Sequence, residues 1–543
     1  MLPGVAAQPA KINSEIAAKR LMARPPIAGK VGAIGSGVKM AFIASAFTAV
    51  TTAVGSAYTF VASGIANGIT DAILAAGLGK GVAVAASQFG AAVGGAFLSG
   101  VVSFGLNSLI SSAVGSGGDP IDYKADPNLP GPIIFGRTAS GGYQVHISTS
   151  TEGADNEFLH HFVVHSGGGP VNSFESFYAD SGAVTFDGSY NAIGTPYEDY
   201  MFLKNDTGAQ PSSYISAPSG TGTIPEWTSA HAMSGWASSR WVLGWKSNRY
   251  QFGPPKPLWV IEGVALYDPR EDSGLTGGSG SQDSADQSTW TYAENPACGA
   301  ISWCLGYKHN DILTFGLGAS IDQIDYTALQ EAAEVCDDNG WTFGGVLTTA
   351  DSKWENLVAI CQAGGMIPIR SGASISCIVQ TPRVSIETIT GADLVGEISI
   401  AGTVRRKARI NSVNYQWRDE TLDWATKISG PISVSAFVTE DGGTRTRAIS
   451  YPLVQDGDQG AQLAAYAIYD ARERTPIVFT VKPYLAGLKP GDVITLDEAE
   501  LGLSSQDLLI LSRQRDPSTG LVTLTCRTET SSKHAAALAF TAP

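Results

Sequence analysis

Cysteine and positive charge are both scarce in this chain. Six cysteines, at 298, 304, 336, 361, 377 and 526, are spread over 543 residues, far below the density of a disulfide-stapled secreted module. We therefore expect reduced, structural thiols. Lys and Arg number 35 against 50 Asp and Glu, which gives a formal net charge of -15. Because nucleic-acid binders concentrate basic residues, this balance argues against DNA or RNA as a direct, sequence-specific ligand.

Catalytic signatures and an export signal are also missing from the sequence. It contains no G-x-S-x-G elbow, no H-E-x-x-H, no P-loop and no cysteine in a papain-like or caspase-like surround. The acidic pairs Asp337/Asp338 and Glu498/Glu500 lack a spacing that would identify a glycosidase dyad. The first apolar run begins only near residue 41, after Pro25 and Pro26, which is not the order of a signal peptide. We predict no catalytic residue, cofactor or metal, and a protein that is not an enzyme.

An apolar block rich in Ala, Gly and Ser extends from Ala41 to Gly118, and only Asp71 and Lys80 interrupt it with charge. The two long stretches, Ala41 to Thr70 and Gly81 to Gly118, each exceed the roughly 20 residues that a helix needs to cross a bilayer. Small residues at helical spacing favour helices that approach one another closely. The block is low in Leu, so we favour helices packed inside an assembly, with insertion into a membrane during function and a permanent membrane anchor as alternatives. Before it, Lys11 to Arg24 can form a short amphipathic helix that attaches to a neighbour.

From Pro132 onward the pattern becomes mainly β, with helical segments in the second half. Ile133 to Phe135, then Gly141-Gly142 and the alternating run from Tyr143 to Ile147, indicate a β-hairpin. Asp272 to Gln287 is rich in Gly, Ser and Asp and is predicted to be an exposed loop. Apolar spacing of 3 and 4 residues predicts helices over 297–305, 325–338, 351–362 and 459–474. We expect an α+β, multidomain, mainly β protein that includes a small α/β module.

Several residue groups allow both a functional and a structural interpretation. Cys298, Cys304 and His309 suggest a metal site, but no second close pair of ligands is visible, so buried thiols are favoured. His160, His161 and His165 alternate along one predicted strand and suggest a pH sensor or ordinary strand positions near a subunit contact. A basic run suggests either a basic surface or interdomain salt bridges, and it consists of Arg405, Arg406, Lys407 and Arg409. A group of tryptophans suggests either a platform for sugar binding or aromatic packing, and it consists of Trp227, Trp236, Trp241, Trp245 and Trp259.

Short motifs follow one another in a defined order between Leu129 and Thr528. They are LPGPIIFGRTASGGYQVH at 129–146, DNEFLH at 155–160, GTP at 194–196, PEWT at 225–228, GPP at 253–255, VIEGVALYDPR at 260–270, NPA at 295–297, IDYTALQEAAEVCD at 324–337, the basic strand at 405–413 and LKPGDVITL at 488–496. This succession resembles the hub region of siphophage tail tip proteins, namely the lambda-type tip attachment proteins and the large tail-tip protein of gene transfer agents. Phe135 stands where that family commonly has Tyr.

The resemblance implies a structural hub at the distal end of a non-contractile tail. Such a chain forms a homotrimeric ring that closes the tail tube, contacts other distal tail and tail-tip proteins and the tape-measure protein, and takes part in host attachment and DNA ejection. Its location is the virion, with possible contacts to tail fibres and to the host envelope. The sequence stops at Pro543, without the further domains usual in the family, so we expect receptor binding on another polypeptide.

The resemblance also organises the chain into domains. We expect an N-terminal arm, the apolar helical segment, a β-rich hub domain with an aromatic-rich insertion, the α/β module, a second β-rich domain, a helix with closing β-barrel strands, and a tail, at 1–40, 41–118, 127–290, 291–385, 386–455, 456–530 and 531–543. Two other functions stay open at this point. One is a membrane-inserting toxin or adhesin with an N-terminal helical hairpin, and the other is an envelope-degrading tail hydrolase.

Overall fold

A computed structural model describes residues 130–151, 157–210, 212, 214–244, 250, 254–400, 409–499 and 502–543. These residues form a mainly β structure with α-helices, in agreement with the predicted α+β class. The N-terminal arm, the apolar segment 41–118, the basic residues 405–407 and Trp245 lie outside the described residues.

The first part is a sandwich of two sheets. One sheet has the strand order β3-β4-β9-β8 and the other has the order β2-β10-β5-β6-β7. The strands are β1 (Pro132–Phe135), β2 (Arg137–Ser140), β3 (Tyr143–Thr151), β4 (Glu157–Ser166), β5 (Val171–Ala179), β6 (Gly182–Phe186), β7 (Ala192–Ile193), β8 (Met201–Asp206), β9 (Ala237–Gly244) and β10 (Pro257–Val264). Trp241 of the first sheet meets Trp259 of the second edge to face, with ring centroids 6.4 Å apart. Alternate side chains of both sheets therefore fill a common core.

The α/β module follows and is joined to the sandwich by β1. Its helices are α1 (Pro296–Leu305), α2 (Tyr326–Asn339) and α3 (Lys353–Ala363), and its strands are β11 (Tyr307–His309), β12 (Ile312–Phe315), β13 (Gly345–Thr348), β14 (Met366–Ser371) and β15 (Ser374–Val379). Strand β1 pairs with β13, so the first strand of the sandwich region completes a sheet of the module. The three predicted helices are confirmed to within two residues at each end. Gly340 ends α2 in the left-handed conformation.

A second β-rich region surrounds one central strand. Strand β18 pairs with β19 and β20 in antiparallel fashion and with β21 in parallel, and helix α5 packs against it. The elements are β18 (Ser412–Asp419), β19 (Ala425–Ile428), β20 (Ile432–Ser433), α4 (Ser435–Asp441), β21 (Thr446–Ser450), α5 (Gly457–Asp470) and α6 (Ser532–Leu538). Helix α5 belongs to the core shared with the sandwich and the α/β module.

The last sheet has a core of its own. Its order is β16-β23-β24-β25-β22-β17, from β16 (Thr388–Thr390), β17 (Ser399–Ile400), β22 (Ile477–Val481), β23 (Val493–Glu498), β24 (Leu503–Arg515) and β25 (Val522–Thr528). The segment 386–395 borders both ends of this sheet, because the Ile386 amide donates to the carbonyl of Val493 and the Val395 amide donates to the carbonyl of Thr480. One segment thus joins the two edges, as closure into a barrel requires.

Gly136 lies between β1 and β2, where the module joins the sandwich. Its φ is +55°, and an added Cβ would lie 2.0 Å from the carbonyl oxygen of Phe343. We expect Gly136→Ala to lower the free energy of unfolding by at least about 2 kcal/mol, because both the left-handed backbone and the approach to Phe343 disfavour a side chain. Gly188→Ala is the matched control, since no atom lies within 4 Å of that Cβ. Equal losses in urea unfolding of the two variants would contradict this account.

Candidate functional site

Three of the sequence motifs meet where the sandwich joins the α/β module. Tyr267, Asp268 and Arg270 follow strand β10, Asn295 precedes α1, and Asp337 lies in the last turn of α2. We call these five residues the motif cluster. Their motifs are far apart in sequence, and the fold brings Asp268, Arg270, Asn295 and Asp337 into one hydrogen-bonded group, with Tyr267 beside Asp268 in the chain.

Arg270 is the centre of the motif cluster. Its Nη1 donates to Asp337 Oδ2 at 2.7 Å and its Nη2 donates to Asp268 Oδ2 at 2.7 Å. The hydrogen bond to Asp268 raises the pKa of Arg270 most, against the opposing effect of burial. Burial works to raise the pKa of Asp268, but the hydrogen bonds from Arg270 outweigh it and the pKa is lowered. Arg270 and Asp268 are therefore both held in their charged forms.

Asn295 links the same cluster to two helices. Its Oδ1 accepts from the amide of Ala297 at 2.9 Å, which caps α1, and Pro296 takes the first helical position. Its Nδ2 donates to Asp337 Oδ1 at 2.8 Å and to the carbonyl of Ala333 at 2.9 Å. One side chain thus starts α1 and holds it against α2.

The loop from Asp272 to Gln287 is largely exposed, as its composition predicted, but two of its side chains anchor it beside the motif cluster. Asp272 and Gln282 are both buried. The Tyr267 hydroxyl donates to Asp272 Oδ2 at 2.6 Å, and Gln282 Oε1 accepts from the Asp268 amide at 2.8 Å. The composition predicted a polar loop. The fold adds that Gln282 accepts from the backbone amide of Asp268 and that Asp272 accepts from the Tyr267 hydroxyl, so two polar side chains of the loop bind the motif that precedes it.

The cysteines singled out by sequence are buried. Cys298 and Cys304 lie on α1, all six cysteines are free, and burial raises the pKa of Cys304 to about 12. Metals bind the thiolate, which this environment disfavours. In the described residues, no three His, Cys, Asp or Glu side chains are grouped to hold a metal ion. His309 lies on β11 beside Gly235 rather than with the two thiols in a shared site.

The three histidines of β4 face opposite sides of their sheet, as strand alternation predicts. His161 packs on Trp241 with ring centroids 4.9 Å apart, and His165 packs on Trp259 at 4.5 Å. His160 faces the other way and is hydrogen-bonded to Ser150. All three are buried: His161 and His165 lie between the two sheets, and His160 lies on the opposite face of its sheet against Thr221.

The tryptophans pack against the protein itself. Trp241 and Trp259 are buried between the two sheets. Trp227 stacks on Phe162 with centroids 3.7 Å apart, and Trp236 meets Phe315 edge to face. An open platform for a sugar ring is not formed by these four side chains, which agrees with the packing interpretation.

Arginine forms two further clusters, and sequence reasoning did not identify their acidic partners. Arg409, at the end of the basic run, donates to Asp441 Oδ1 at 3.1 Å, and Arg472 binds the same carboxylate. Arg137, next to Gly136, binds Glu175 of β5 and Glu420 after β18. Each arginine joins segments that are remote in sequence. The sequence motifs contain these arginines, but the tertiary fold determines which acidic residues they bind.

The polar side chains of these clusters are engaged with one another, so their arrangement supports a mechanical role that holds the regions of the chain together. Within the described ranges, no helix is long and apolar enough to span a bilayer. This statement does not reach the apolar block 41–118, which lies outside those ranges.

Comparison with known proteins points to viral tails. Residues 354–511 match the sequence model of a family described as a putative phage tail protein. No curated protein matches the chain. A chain of the virion of the native gene transfer agent particle is similar in structure, with a TM-score of 0.54 and 18% identity over 82% of this chain and 97% of that chain. The two proteins therefore share a fold.

Weaker structural likenesses name tail proteins as well. The 43 kDa tail protein of prophage MuSo2 from Shewanella oneidensis has a TM-score of 0.27 and 8% identity over 75% of this chain and 99% of that chain. A tail protein from Neisseria meningitidis MC58 has a TM-score of 0.28 and 9% identity over 74% and 97% of the two chains.

The motif cluster gives a direct test of its mechanical role. We expect Arg270→Met to lower the free energy of unfolding by about 1–3 kcal/mol, because hydrogen bonds to charged groups are lost and two carboxylates lose their partner. Arg515→Met is the matched control, since Arg515 is exposed at the end of β24, and its change should stay within about 0.5 kcal/mol. Chemical unfolding followed by circular dichroism measures both. An Arg270→Met protein as stable as the Arg515→Met control would show that the motif cluster does not hold these regions of the chain together.

Proposed function

We propose that this chain is a structural protein of a phage-type tail, and more specifically the hub of a tail tip. The single observation that carries the proposal is the agreement of two independent likenesses. The family match covers residues 354–511, and the fold shared with a gene transfer agent virion chain covers 82% of the sequence. The ordered motifs from Leu129 to Thr528 support the same assignment.

In this proposal three copies form a ring that closes the tail tube, and the chain acts by conformational change when DNA is ejected. It contacts neighbouring tail-tip proteins and the tape-measure protein, takes part in host attachment, and requires no cofactor or catalytic residue. The clusters at Arg137, Arg270 and Asp441 support this role, because a ring that bears load needs regions that do not separate.

Strand β3 offers a surface for contact between copies. It is an edge strand of its sheet, and Val145 and Ile147 on one of its faces are 41% and 44% exposed. An edge strand with exposed apolar side chains favours pairing with another chain. We therefore place one subunit contact of the trimer at β3.

The experiment combines imaging with a surface variant. Cryo-electron microscopy of intact particles should show three copies at the distal end of the tail, and mass photometry of the purified chain should show a trimer. Ile147→Lys on β3 should reduce the trimer fraction at least tenfold, whereas Ile312→Lys, at a position 69% exposed on β12, should leave it unchanged. A peripheral monomer in the particle would refute the hub. Spontaneous insertion into liposomes without particle association would favour the membrane-inserting alternative.

A further inference from the structure

A long connection covers one face of the sandwich. Strands β8 and β9 are antiparallel neighbours, so a short hairpin loop would suffice to join them. The chain instead crosses the outer face of their sheet, and we call residues 214–236 the covering loop. Connections of this length without regular structure are commonly functional lids or binding loops.

The covering loop is packed on the sheet by a few specific contacts. Ile215, Thr221 and Ile224 are buried. Trp227 stacks on Phe162 of β4, and Glu226 accepts from the Ser148 hydroxyl of β3 at 2.5 Å. The loop therefore hides an aromatic surface of the sheet.

His160 lies at the centre of this contact. The Ser150 hydroxyl donates to the carbonyl of Thr221 at 2.5 Å, so its oxygen accepts from Nε2–H of His160 at 2.7 Å. The same Nε2 lies 3.1 Å from the Thr221 carbonyl oxygen. The other ring nitrogen, Nδ1, accepts from Arg240 Nε at 3.3 Å and from Nη2 at 3.2 Å. These partners define a neutral ring with its proton on Nε2.

Arg240 is buried, with 2% of its surface exposed, and it ties the sheet to the loop. Its Nη1 donates to the carbonyl of Ile215 at 3.1 Å. No described carboxylate forms an ion pair with Arg240. A proton added to Nδ1 of His160 would point at this guanidinium, remove the acceptor for two of its hydrogen bonds and place two positive charges in contact.

Other charges around His160 do not offset this repulsion. Lys204 of β8 is paired with Arg240 across the strands and adds a third positive group. Glu226 is exposed and engaged with Ser148. The titratable and charged groups on the elements packed here, besides His160 itself, are Tyr143 and His146 of β3, Glu157, His161 and His165 of β4, Lys204 and Asp206 of β8, Arg240 of β9, and Tyr214, Glu226 and His231 of the covering loop.

We propose that the covering loop is an acid-released cover, in which protonation of His160 against Arg240 detaches residues 214–236 from the sheet and exposes the Phe162 face. The released surface contains the Phe162 ring beside the polar side chains of Ser150 and Arg240. The device is independent of the tail assignment.

The sign and size of the pH effect follow from the histidine. Burial, and then the charge of Arg240, lower the pKa of His160 to about 3 when the loop is closed. Opening the loop reduces the burial, but His160 of β4 stays beside Arg240 of β9, so its pKa rises only part of the way toward the ordinary value near 6.5. The closed state is therefore fully favoured above pH 6.5 and is weakened as the pH falls. Between the pKa values of the open and closed states, each pH unit multiplies the ratio of open to closed loop by about ten.

Hydrogen exchange of the full chain tests the proposal. After correction for intrinsic exchange, the protection of amides in 214–236 should fall at least about tenfold between pH 6.5 and 4.5, while β4 and β9 stay protected. His160→Gln should keep the loop protected at pH 4.5, because the amide can accept from Arg240 and donate to Thr221 without gaining charge. His161→Gln, a neighbouring buried histidine on the opposite face, is the matched control and should still release the loop.

Two outcomes would overturn the proposal. One is a loop that stays protected until the whole sheet exchanges, and the other is a His160→Gln loop that opens at the same pH as the unaltered protein. If His160→Gln does not fold, deuterium exchange at the imidazole Cε1 in the unaltered protein decides. That exchange reports the ionisation of each histidine, and His160 should titrate together with loop opening. Titration of His160 without loop exchange would also refute the proposal.

Discussion

Acidification from pH 7 to 4.5 is expected to destabilise the sandwich by about 5 kcal/mol through two buried histidines. Burial lowers the pKa of His161 to about 4 and that of His165 to about 3. In the unfolded chain both have a pKa near 6.5. Two pH units below that value cost each histidine about 2.7 kcal/mol, at about 1.4 kcal/mol per unit.

The sign of this effect follows from which state binds the proton. The unfolded chain takes up protons below pH 6.5, whereas the folded protein resists them until pH 4 or 3. The stabilisation is complete above pH 6.5 and is lost as the pH falls. The structural cause is the packing of His161 on Trp241 and of His165 on Trp259 between the sheets, where water is excluded.

Urea unfolding at pH 7 and at pH 4.5 measures the difference. In a double variant, His161→Gln with His165→Gln, the loss on acidification should shrink by most of the 5 kcal/mol. His231→Gln is the control, because His231 is exposed, and its acid loss should match that of the unaltered protein. An unchanged pH dependence in the double variant would show that other groups control acid stability.

Loss of the Lys533 ammonium is the second large effect, at an expected cost of about 3–5 kcal/mol. Lys533 of α6 has only 1% of its side chain exposed. Its Nζ donates to Asp470 Oδ1 at 3.0 Å and to Glu529 Oε2 at 2.8 Å. Lys533→Met removes the charge at similar length and leaves two buried carboxylates with fewer partners.

The side chains around Lys533 form one network of charges. Burial opposes ionisation of Glu529, but His534, Lys533 and Arg527 outweigh it and lower the pKa of Glu529 to about 2. Arg527 Nη1 also binds Asp470 Oδ2 at 3.0 Å. The network joins strand β25, helix α6 and helix α5. Loss of the Lys533 charge therefore weakens the contacts among three elements.

Lys427→Met is the matched control for Lys533→Met. Lys427 also binds a carboxylate at 2.7 Å, that of Asp419, but 47% of its side chain is exposed, so its replacement should cost less than about 1 kcal/mol. Denaturant unfolding at pH 7 compares the two variants. Similar losses at 533 and 427 would contradict the buried network.

Much of the local structure could be predicted from the sequence. The apolar spacing of Leu329, Ala332, Ala333 and Cys336 predicted helix α2 and its buried face, and all four side chains are buried. The alternation of His160 with His161 and His165 placed them on opposite faces of β4. These features depend on neighbours within a few residues, so the pattern along the chain contains the information.

The candidate site could be predicted only in part. The letters YDPR, NPA and CD marked the motif cluster, but nothing in their spacing showed that Arg270 and Asn295 bind the same carboxylate of Asp337. The anchoring of Asp272 and Gln282 was missed, because a loop rich in Gly and Ser looks alike whether its polar groups face water or a buried backbone.

The sequence by itself determined four of the six helices in the described residues, the strand faces and the burial of the thiols, because periodicity and local hydrogen bonds act over one or two turns. The tertiary structure alone decided the partners of Arg137, Arg240 and Lys533, and the burial of β9 on both faces beneath the covering loop. Such contacts join residues remote along the chain. They depend on how the sheets and helices come together, which a one-dimensional pattern does not record.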